Sequence, residues 1–553
     1  MPRNSEPLSN IDAAWLGMDE PTTLMMITGV MTFKKPINIE HLKAVFEYRW
    51  LKFDRFSQRL VRPTLPTSRP YWETDPHFNL AAHFRRTALP PPGDQAALQQ
   101  MVSDLMSTPL DFSKPLWQIH VIEKYGEGSA IVARMHHSIA DGLALVYVLL
   151  SLTDMTPDAP WPEPREVEEA ANDGGIFSGA LGSLFRGGRS VVGTAGRISG
   201  SAVKSSWSTV RNPDLARQLM ESGADASYAT SRLLLRSNDP ETPFKGPLGT
   251  VKRGAWSRPL SLRDIKAIKN ATRTTVNDVL ISAMSGALRR YMLEEEAAPV
   301  DFRATVPVNM RTDQEMGQLG NKFGLVFLDL PVSTADPLTR LSDVHFRMQE
   351  LKKSSETGII LTLLNIVGRS TKQVQDLVVS ILAKKATTVL TNVPGPPIPL
   401  FLAGREIEDL MFWVPQAGRL GIGISILSYA GKVYVGVATD VKLVSEPDRI
   451  IDAFYEELDL LMSTLKLESK DKRARQVQQK APAPAIVDDL TKVHGIEAGT
   501  SALLEKVGIV NYQQLGETDV SALREVLNGG GSQYGSLDPS NWPAQARYLS
   551  SIK

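Results

Sequence analysis

The residues best equipped for chemistry form one run, Met135-His136-His137-Ser138-Ile139-Ala140-Asp141-Gly142. Imidazole has an ordinary pKa of about 6.5. A neutral histidine in a cleft can therefore take the proton from an alcohol as that oxygen attacks a carbonyl, and such positioned base catalysis contributes roughly 10²–10⁴-fold. Adjacent residues on an extended strand point to opposite faces, so one histidine can face a cleft while the other packs inward. Ser138 and Asp141 stand where helix-capping residues are favoured, and Gly142 permits a close backbone approach or an unusual dihedral at the turn. A bare His-His pair fits three readings: a hydrogen-bonded structural pair, a general base with a neighbour, or two metal ligands. The chain has no cysteine and no HExxH spacing here, and the six other histidines form no close cluster, so no metal is expected.

The elements that must position this run are readable from periodicity. Apolar Ala130–Met135 predicts a strand that ends at the histidines, and Trp117–Glu123 predicts a second strand before it. Gly142–Leu152 carries Leu143, Val146, Tyr147 and Leu150 at helical spacing. Upstream, Leu24–Phe33 reads as a strand and Ile39–Phe53 as an amphipathic helix. A second alternating segment has helices at Leu262–Ala271, Val276–Met292 and Pro447–Leu465. Its strands are Phe302–Val308, Gly324–Leu330, Thr387–Leu390, Ile422–Tyr429 and Lys432–Thr439, with Ser428-Tyr429-Ala430-Gly431 suggesting a hairpin turn between the last two.

Two α/β segments of similar size imply two lobes facing each other. The expected division is an N-terminal lobe at 1–160, an interlobe crossover at 161–245, a C-terminal lobe at 246–466, a linker at 467–484 and a small all-α module at 485–553. The crossover opens with proline and acids, then turns rich in glycine and serine. Its Phe177, Leu181, Leu184 and Phe185, with Arg186, Arg189 and Arg197, fit either a membrane-surface contact or packing on the protein itself.

Bulk properties narrow the function classes. The chain has 553 residues, 42% hydrophobic and 22% charged, and its formal net charge is zero. No global field recruits nucleic acid or an anionic membrane. Without cysteine there is no disulfide, thiolate zinc site or cysteine nucleophile, which fits a reducing cytoplasm. The start, MPRNSEPLSN, lacks the apolar core of a signal peptide. The longest apolar runs, such as Gly358–Leu364 and Leu377–Ala383, fall short of the roughly 20 residues that span a bilayer. Each run reads as a core helix, an acyl-tunnel lining or a surface docking patch.

The full pattern His-His-x-x-x-Asp-Gly resembles the signature of the coenzyme A-dependent acyltransferase superfamily. A series of further blocks narrows the resemblance. They are Leu8-Ser9-Asn10-Ile11-Asp12, Pro115-Leu116-Trp117, Thr275-Val276-Asn277-Asp278-Val279 and Pro307-Val308-Asn309-Met310-Arg311, then Leu319-Gly320-Asn321 and Thr391-Asn392-Val393-Pro394-Gly395-Pro396. Their order and spacing, over about residues 5–465, resemble the bacterial wax ester synthase/acyl-CoA:diacylglycerol acyltransferase family. The resemblance implies two chloramphenicol-acetyltransferase-like lobes around a central tunnel. It implies transfer of a long-chain acyl group from acyl-CoA to a diacylglycerol or fatty alcohol, with no cofactor because acyl-CoA is itself a substrate.

Carried over position by position, the resemblance makes His137 the general base and His136 a support. Asp141 would hold the loop through an arginine, Arg311 or Arg303. Gly142, Asn277, Asp278 and Trp117 would lie along the substrate path, although a cap or interlobe role suits Asn277 and Asp278 equally and core packing suits Trp117. Asn392, Pro394 and Gly395 read as a rigid turn after a strand. The lipid substrates imply peripheral attachment to the inner membrane or to lipid droplets from the cytoplasm. The competing readings are a condensation enzyme fed by carrier proteins, against which no carrier segment is evident, and a noncatalytic lipid-droplet scaffold.

The tail, Asp489-Leu490-Thr491-Lys492-Val493-His494-Gly495-Ile496 and the Leu503–Ile509 stretch, resembles a helix-hairpin-helix module. Glu497 stands where a second turn glycine belongs, and eight acids face five bases in this region. Repulsion from phosphates argues against nucleic acid and leaves protein binding or self-association.

Overall fold

The histidine strand Gly128–His136 lies at the centre of a five-stranded sheet, ordered Asp409–Trp413, Met26–Phe33, Gly128–His136, Trp117–Tyr125, Phe84–Thr87. All neighbours are antiparallel except the last pair. Gly128 has a clear reason to be glycine: a Cβ there would sit 1.8 Å from the Phe33 carbonyl oxygen. A second sheet runs Phe323–Leu330, Phe302–Asn309, Thr388–Pro394, Ile422–Tyr429, Lys432–Asp440, Lys252–Trp256, with Leu260–Ser261 also pairing to Lys432–Asp440. The three strands from Phe302–Asn309 to Ile422–Tyr429 pair in parallel. The computed structural model describes residues 5–63, 69–162, 236–311, 319–353, 367–370, 372–467, 488–531 and 534–551.

Two apolar cores underlie the sheets. The first gathers Val30, Val132, Leu42, Phe46 and Trp117 around the histidine strand. The second gathers Leu280, Met284, Ile424, Val435 and Phe454 between the second sheet and the helices Val276–Glu294 and Asp448–Thr464. A third cluster, with Trp15, Met18, Phe323, Val374 and Val378, joins the helix Asn10–Gly17 to the helix Lys372–Ala383 and the second sheet. Apolar Leu377–Leu382 thus belongs to a helix that contributes core residues. Gly358–Val367 lies outside the described residues except for Val367, which is buried in this third cluster.

The two halves of the chain are interwoven. The strand Asp409–Trp413 comes from the second half, yet it pairs along Met26–Phe33 from Leu410↔Met31 to Trp413↔Thr28. In return, the helix Gln95–Met106 of the first half meets the strand Lys252–Trp256: Gly254 N donates to Ser103 Oγ at 3.1 Å and Lys252 N to Ser107 Oγ at 2.8 Å.

Several expected elements need correction. The helix from Ile39 stops at Tyr48, and two short 3-10 turns follow, Trp50–Lys52 and Asp54–Phe56. Trp50 is the cause: its ring stacks on Phe56 at 3.9 Å and meets Trp117 at 5.3 Å, so aromatic packing takes the chain out of the helix. The strand at Thr388 runs on to Pro394, because its backbone pairs with Ile422–Ser428 over the whole length, Asn392 and Val393 included. Most of the proposed crossover, 163–235, lies outside the described residues, and with it Phe177, Leu181, Leu184, Phe185, Arg186, Arg189 and Arg197. Its described end is no linker: Phe244 is buried in the second core and Asp239 accepts from Thr387 Oγ1 at 2.6 Å.

The chain separates into two compact units, Met1–Ser469 and Lys470–Lys553. The proposed linker falls outside the described residues from 468 onward. The second unit is all helical, with Ala498–Lys506, Tyr512–Glu517, Val520–Gly529 and Trp542–Ser551 packed on Leu490, Val493, Leu504, Leu515 and Leu523. Its turn glycine, Gly495, has φ of +94° and lies against Trp542, where a Cβ would come within 3.1 Å of the indole nitrogen.

Candidate active site

The strand ends at His136 because the next turn is pinned. His136 N donates to Leu116 O at 2.9 Å and His137 N to Met25 O at 2.7 Å. His136 then folds back on its own loop: its Nδ1 lies 2.7 Å from Ser138 Oγ and accepts from Ser138 N at 3.1 Å. Its Nε2 lies 3.7 Å from the Asp19 carboxylate, and its ring packs edge-on to Phe112. It is buried and tied to its own loop.

His137 turns the other way, against the third apolar cluster. Trp15 stacks on its ring at 4.6 Å and Phe323 meets it, tilted, at 5.7 Å. The residue is 6% exposed, and Nδ1 is buried without a hydrogen-bond partner. Burial penalises the imidazolium and pushes the His137 pKa down to about 4, with the Asp141 carboxylate pulling the opposite way. The ring is therefore neutral at physiological pH, the form a general base needs.

Asp141 begins the helix Gly142–Leu152 and holds the loop at the same time. One carboxylate oxygen caps the helix, accepting from Ala144 N at 3.0 Å. The other accepts from Lys322 N at 2.9 Å and from the Arg311 guanidinium. Arg311 also donates through Nη2 to Gly320 O at 2.6 Å, and Gly320 N donates to Ile139 O at 3.2 Å. Of the two arginines considered, Arg311 is the partner. Arg303 points elsewhere, with its Nε 3.1 Å from Asp329 and Nη1 2.9 Å from Ser237 O.

The other candidates divide. Trp117 packs in the first core: it is 0% exposed, donates to Phe56 O at 2.8 Å and stacks on His83 at 4.3 Å. Asp278 is buried as well. It completes a capping box with Thr275 and accepts from Thr275 N at 2.9 Å, and its Oδ2 lies 2.7 Å from His345 Nδ1. Asn277, half-buried, accepts from Asn392 and so joins the start of the helix Val276–Glu294 to the strand Thr388–Pro394. Gly142 needs neither reason the sequence suggested. Its φ is not in the left-handed region, and a Cβ would make only ordinary contact with Val393 at 3.7 Å. Gly395 does need to be glycine, since a Cβ there would lie 2.3 Å from Ser428 O. Gly395 N donates to that same oxygen at 2.9 Å, continuing the pairing with Ile422–Tyr429 just past Pro394, so Asn392 and Pro394 lie in the strand rather than in a turn.

Three residues of the site were not singled out individually from sequence: Asp12, Asn321 and Trp15. The first two stood inside motif blocks. Trp15 gave no signal beyond its spacing of three from Asp12 on one helix face.

Residues 8–280 match the family model described as the wax ester synthase/diacylglycerol acyltransferase catalytic domain, and residues 319–462 match the WS/DGAT C-terminal domain. A Mycobacterium tuberculosis protein named probable diacyglycerol O-acyltransferase tgs1 is 28% identical over 419 residues, which covers 74% of this chain and 85% of that protein. The solved wax ester synthase/diacylglycerol acyltransferase from Marinobacter aquaeolei VT8 aligns with a TM-score of 0.60 and 22% identity, over 83% of this chain and all of that one. The first condensation domain of the calcium-dependent antibiotic synthetase shares the fold at a TM-score of 0.53 and 14% identity, over 84% of this chain and 96% of that one. With its catalytic and C-terminal family models matched in chain order, the chain belongs to the wax ester synthase/diacylglycerol acyltransferase family.

Proposed function

We propose that the chain moves a long-chain acyl group from acyl-CoA to a diacylglycerol, a fatty alcohol or both, making triacylglycerol or wax ester, with His137 as general base. The neutral imidazole takes the hydroxyl proton as the oxygen attacks the thioester carbonyl. The new C–O bond forms, the C–S bond breaks, and the proton passes from His137 to the departing thiolate. Transfer from a thioester to an oxygen ester is downhill, so the reaction needs no cofactor. His136, Asp141 and Arg311 hold the loop, and Gly142 and Asn277 border the reacting ester. The observation that carries this reading is the His137 ring, buried and packed in one cluster with Trp15 and Phe323.

The substrates place the enzyme at lipid: we assign it a peripheral position on the cytoplasmic face of the inner membrane or on lipid droplets. Among the described residues no helix is long and apolar enough to cross a membrane. For the unit at 485–553 we assign protein binding or self-association rather than nucleic acid, supported by its excess of acids and by exposed Val507 and Tyr548.

The test is product analysis. Purified protein is given labelled acyl-CoA with a mixture of fatty alcohols and diacylglycerols. Labelled triacylglycerol or wax ester is expected, falling about 10²–10⁴-fold in His137→Ala with the fold retained. Full turnover in that variant would remove His137 from the chemistry. Turnover with acyl-carrier protein alone would reassign the donor.

A further inference from the structure

The grip on His137 comes from two distant parts of the chain, and each part contributes a pair of residues. Asn321 places one amide nitrogen between two acceptors: Nδ2 donates to Asp12 Oδ1 at 2.7 Å and to the His137 carbonyl oxygen at 2.7 Å. Asp12 and Trp15 are three apart on the helix Asn10–Gly17, so they share a face, and Trp15 stacks on the His137 ring. Asn321 lies two residues before Phe323, the first residue of the strand Phe323–Leu330, and Phe323 packs on the same ring. All three polar groups are buried.

A planar amide nitrogen has two hydrogens at a fixed angle. Whatever anchors one of them aims the other. Asp12 anchors the first, so the second points at the peptide carbonyl of His137. That peptide orientation sets the direction in which the imidazole leaves the backbone. Asp12 is itself held, accepting on its side chain from Asn321 while its own N donates to Ser9 Oγ at 3.0 Å. Burial pushes the Asp12 carboxyl above the usual carboxylate range, against the lowering by Asn321 and Ser9. Such a group has no stabilising reason to be buried unless its bonds are used.

We propose that Asp12 and Asn321 are positioning residues for the acyl transfer, acting together through the one amide that aims the His137 peptide and hence the basic nitrogen. The proposal rests on the reading of His137 as base. Asn321 also lies beside the imidazole while Asp12 acts through it, and their effect is on geometry in the transition state. It therefore appears in kcat rather than in KM for acyl-CoA.

An exchange of the two side chains separates positioning from simple support. In the single variant Asn321→Asp, two buried carboxylates meet, and both melting temperature and kcat fall. The double variant Asp12→Asn/Asn321→Asp restores a hydrogen bond between the two positions, now donated from residue 12. The residue at 321 can no longer donate to the His137 carbonyl. The expected result is recovery of the melting temperature with kcat still down about 10–100-fold and KM little changed. Recovery of kcat along with melting would overturn the proposal. If the exchange does not fold, Asp12→Ala serves instead. It leaves the amide in place but unanchored, and kcat is expected to fall about tenfold; unchanged kcat there overturns the proposal too. His137→Ala is measured alongside. Activity in His137→Ala would defeat the function itself, whereas an inactive His137→Ala beside fully active Asn321 variants would defeat only the positioning role.

Discussion

Arg311 and Asp141 meet as a sealed ion pair, their side chains 3% and 6% exposed, across a separation of 170 residues in the chain. Neither lobe has both members. The pair fixes the loop after the histidines to a segment from the other half, which also presents Gly320 and Lys322 to that loop.

Breaking the pair on one side should be costly. Arg311→Met leaves a buried carboxylate that keeps only its backbone donors, and removal of one partner of a buried pair costs about 3–5 kcal/mol. Arg311→Lys should recover part of this, because one ammonium cannot match a guanidinium that reaches both Asp141 and Gly320 O. Denaturant midpoints check the order wild type, Lys, Met. Equal midpoints for Met and wild type would contradict it.

The pH dependence has a definite sign. Burial holds His137 at about 4 against about 6.5 in the unfolded chain, so between those values the unfolded state binds more protons. The His137 contribution to stability therefore rises with pH through this window and is lost as pH falls through it. Turnover should stay flat from roughly pH 8 down to roughly pH 5.5, since the base remains neutral there. A rate profile with an inflection near the ordinary imidazole value would count against the buried, neutral base.

Trp117 supplies a contrast between core and tunnel. Trp117→Ala should cost about 3–5 kcal/mol as a cavity in the first core. The fraction that remains folded should keep its chain-length preference. A shift in preferred acyl length without a change in melting would return Trp117 to the substrate path.

Two motif glycines should behave oppositely. Gly395→Ala forces a methyl to within 2.3 Å of a backbone oxygen and should destabilise by at least about 1–3 kcal/mol. Gly142→Ala meets only ordinary contact and adds helix propensity, so melting should hold or rise. On the proposed placement of Gly142 beside the reacting ester, kcat/KM should still fall by about tenfold, about 1.4 kcal/mol. An unchanged kcat/KM would take Gly142 off the substrate path.

What was legible in the sequence follows from what is local. The helix Gly142–Leu152 and the strand Ile422–Tyr429 lie where their periodicity put them, since an apolar face and a cap act over a few residues. The helix after Ile39 was overextended because its stop is a tertiary event, the stacking of Trp50 on Phe56 and Trp117. The strand Asp409–Trp413 was missed for a similar reason. Five residues give a weak pattern, and the partner strand Met26–Phe33 lies far back in the chain. At the site, His137 and Asp141 stood out by residue type and spacing. Asp12 and Asn321 did not, because a carboxylate and an amide acquire their role only when folding brings them to the same carbonyl.

The borrowed edge strand constrains the birth of the molecule. During synthesis the histidine strand and its neighbours emerge long before Asp409–Trp413, and at roughly 5–20 residues per second the wait is on the order of tens of seconds. Throughout that interval Met26–Phe33 presents an unpaired edge with buried-type side chains such as Val30 and Phe33, the kind of template that recruits other nascent chains. A chain cut before the edge strand therefore leaves the ribosome as a sticky sheet rather than a half-sized enzyme.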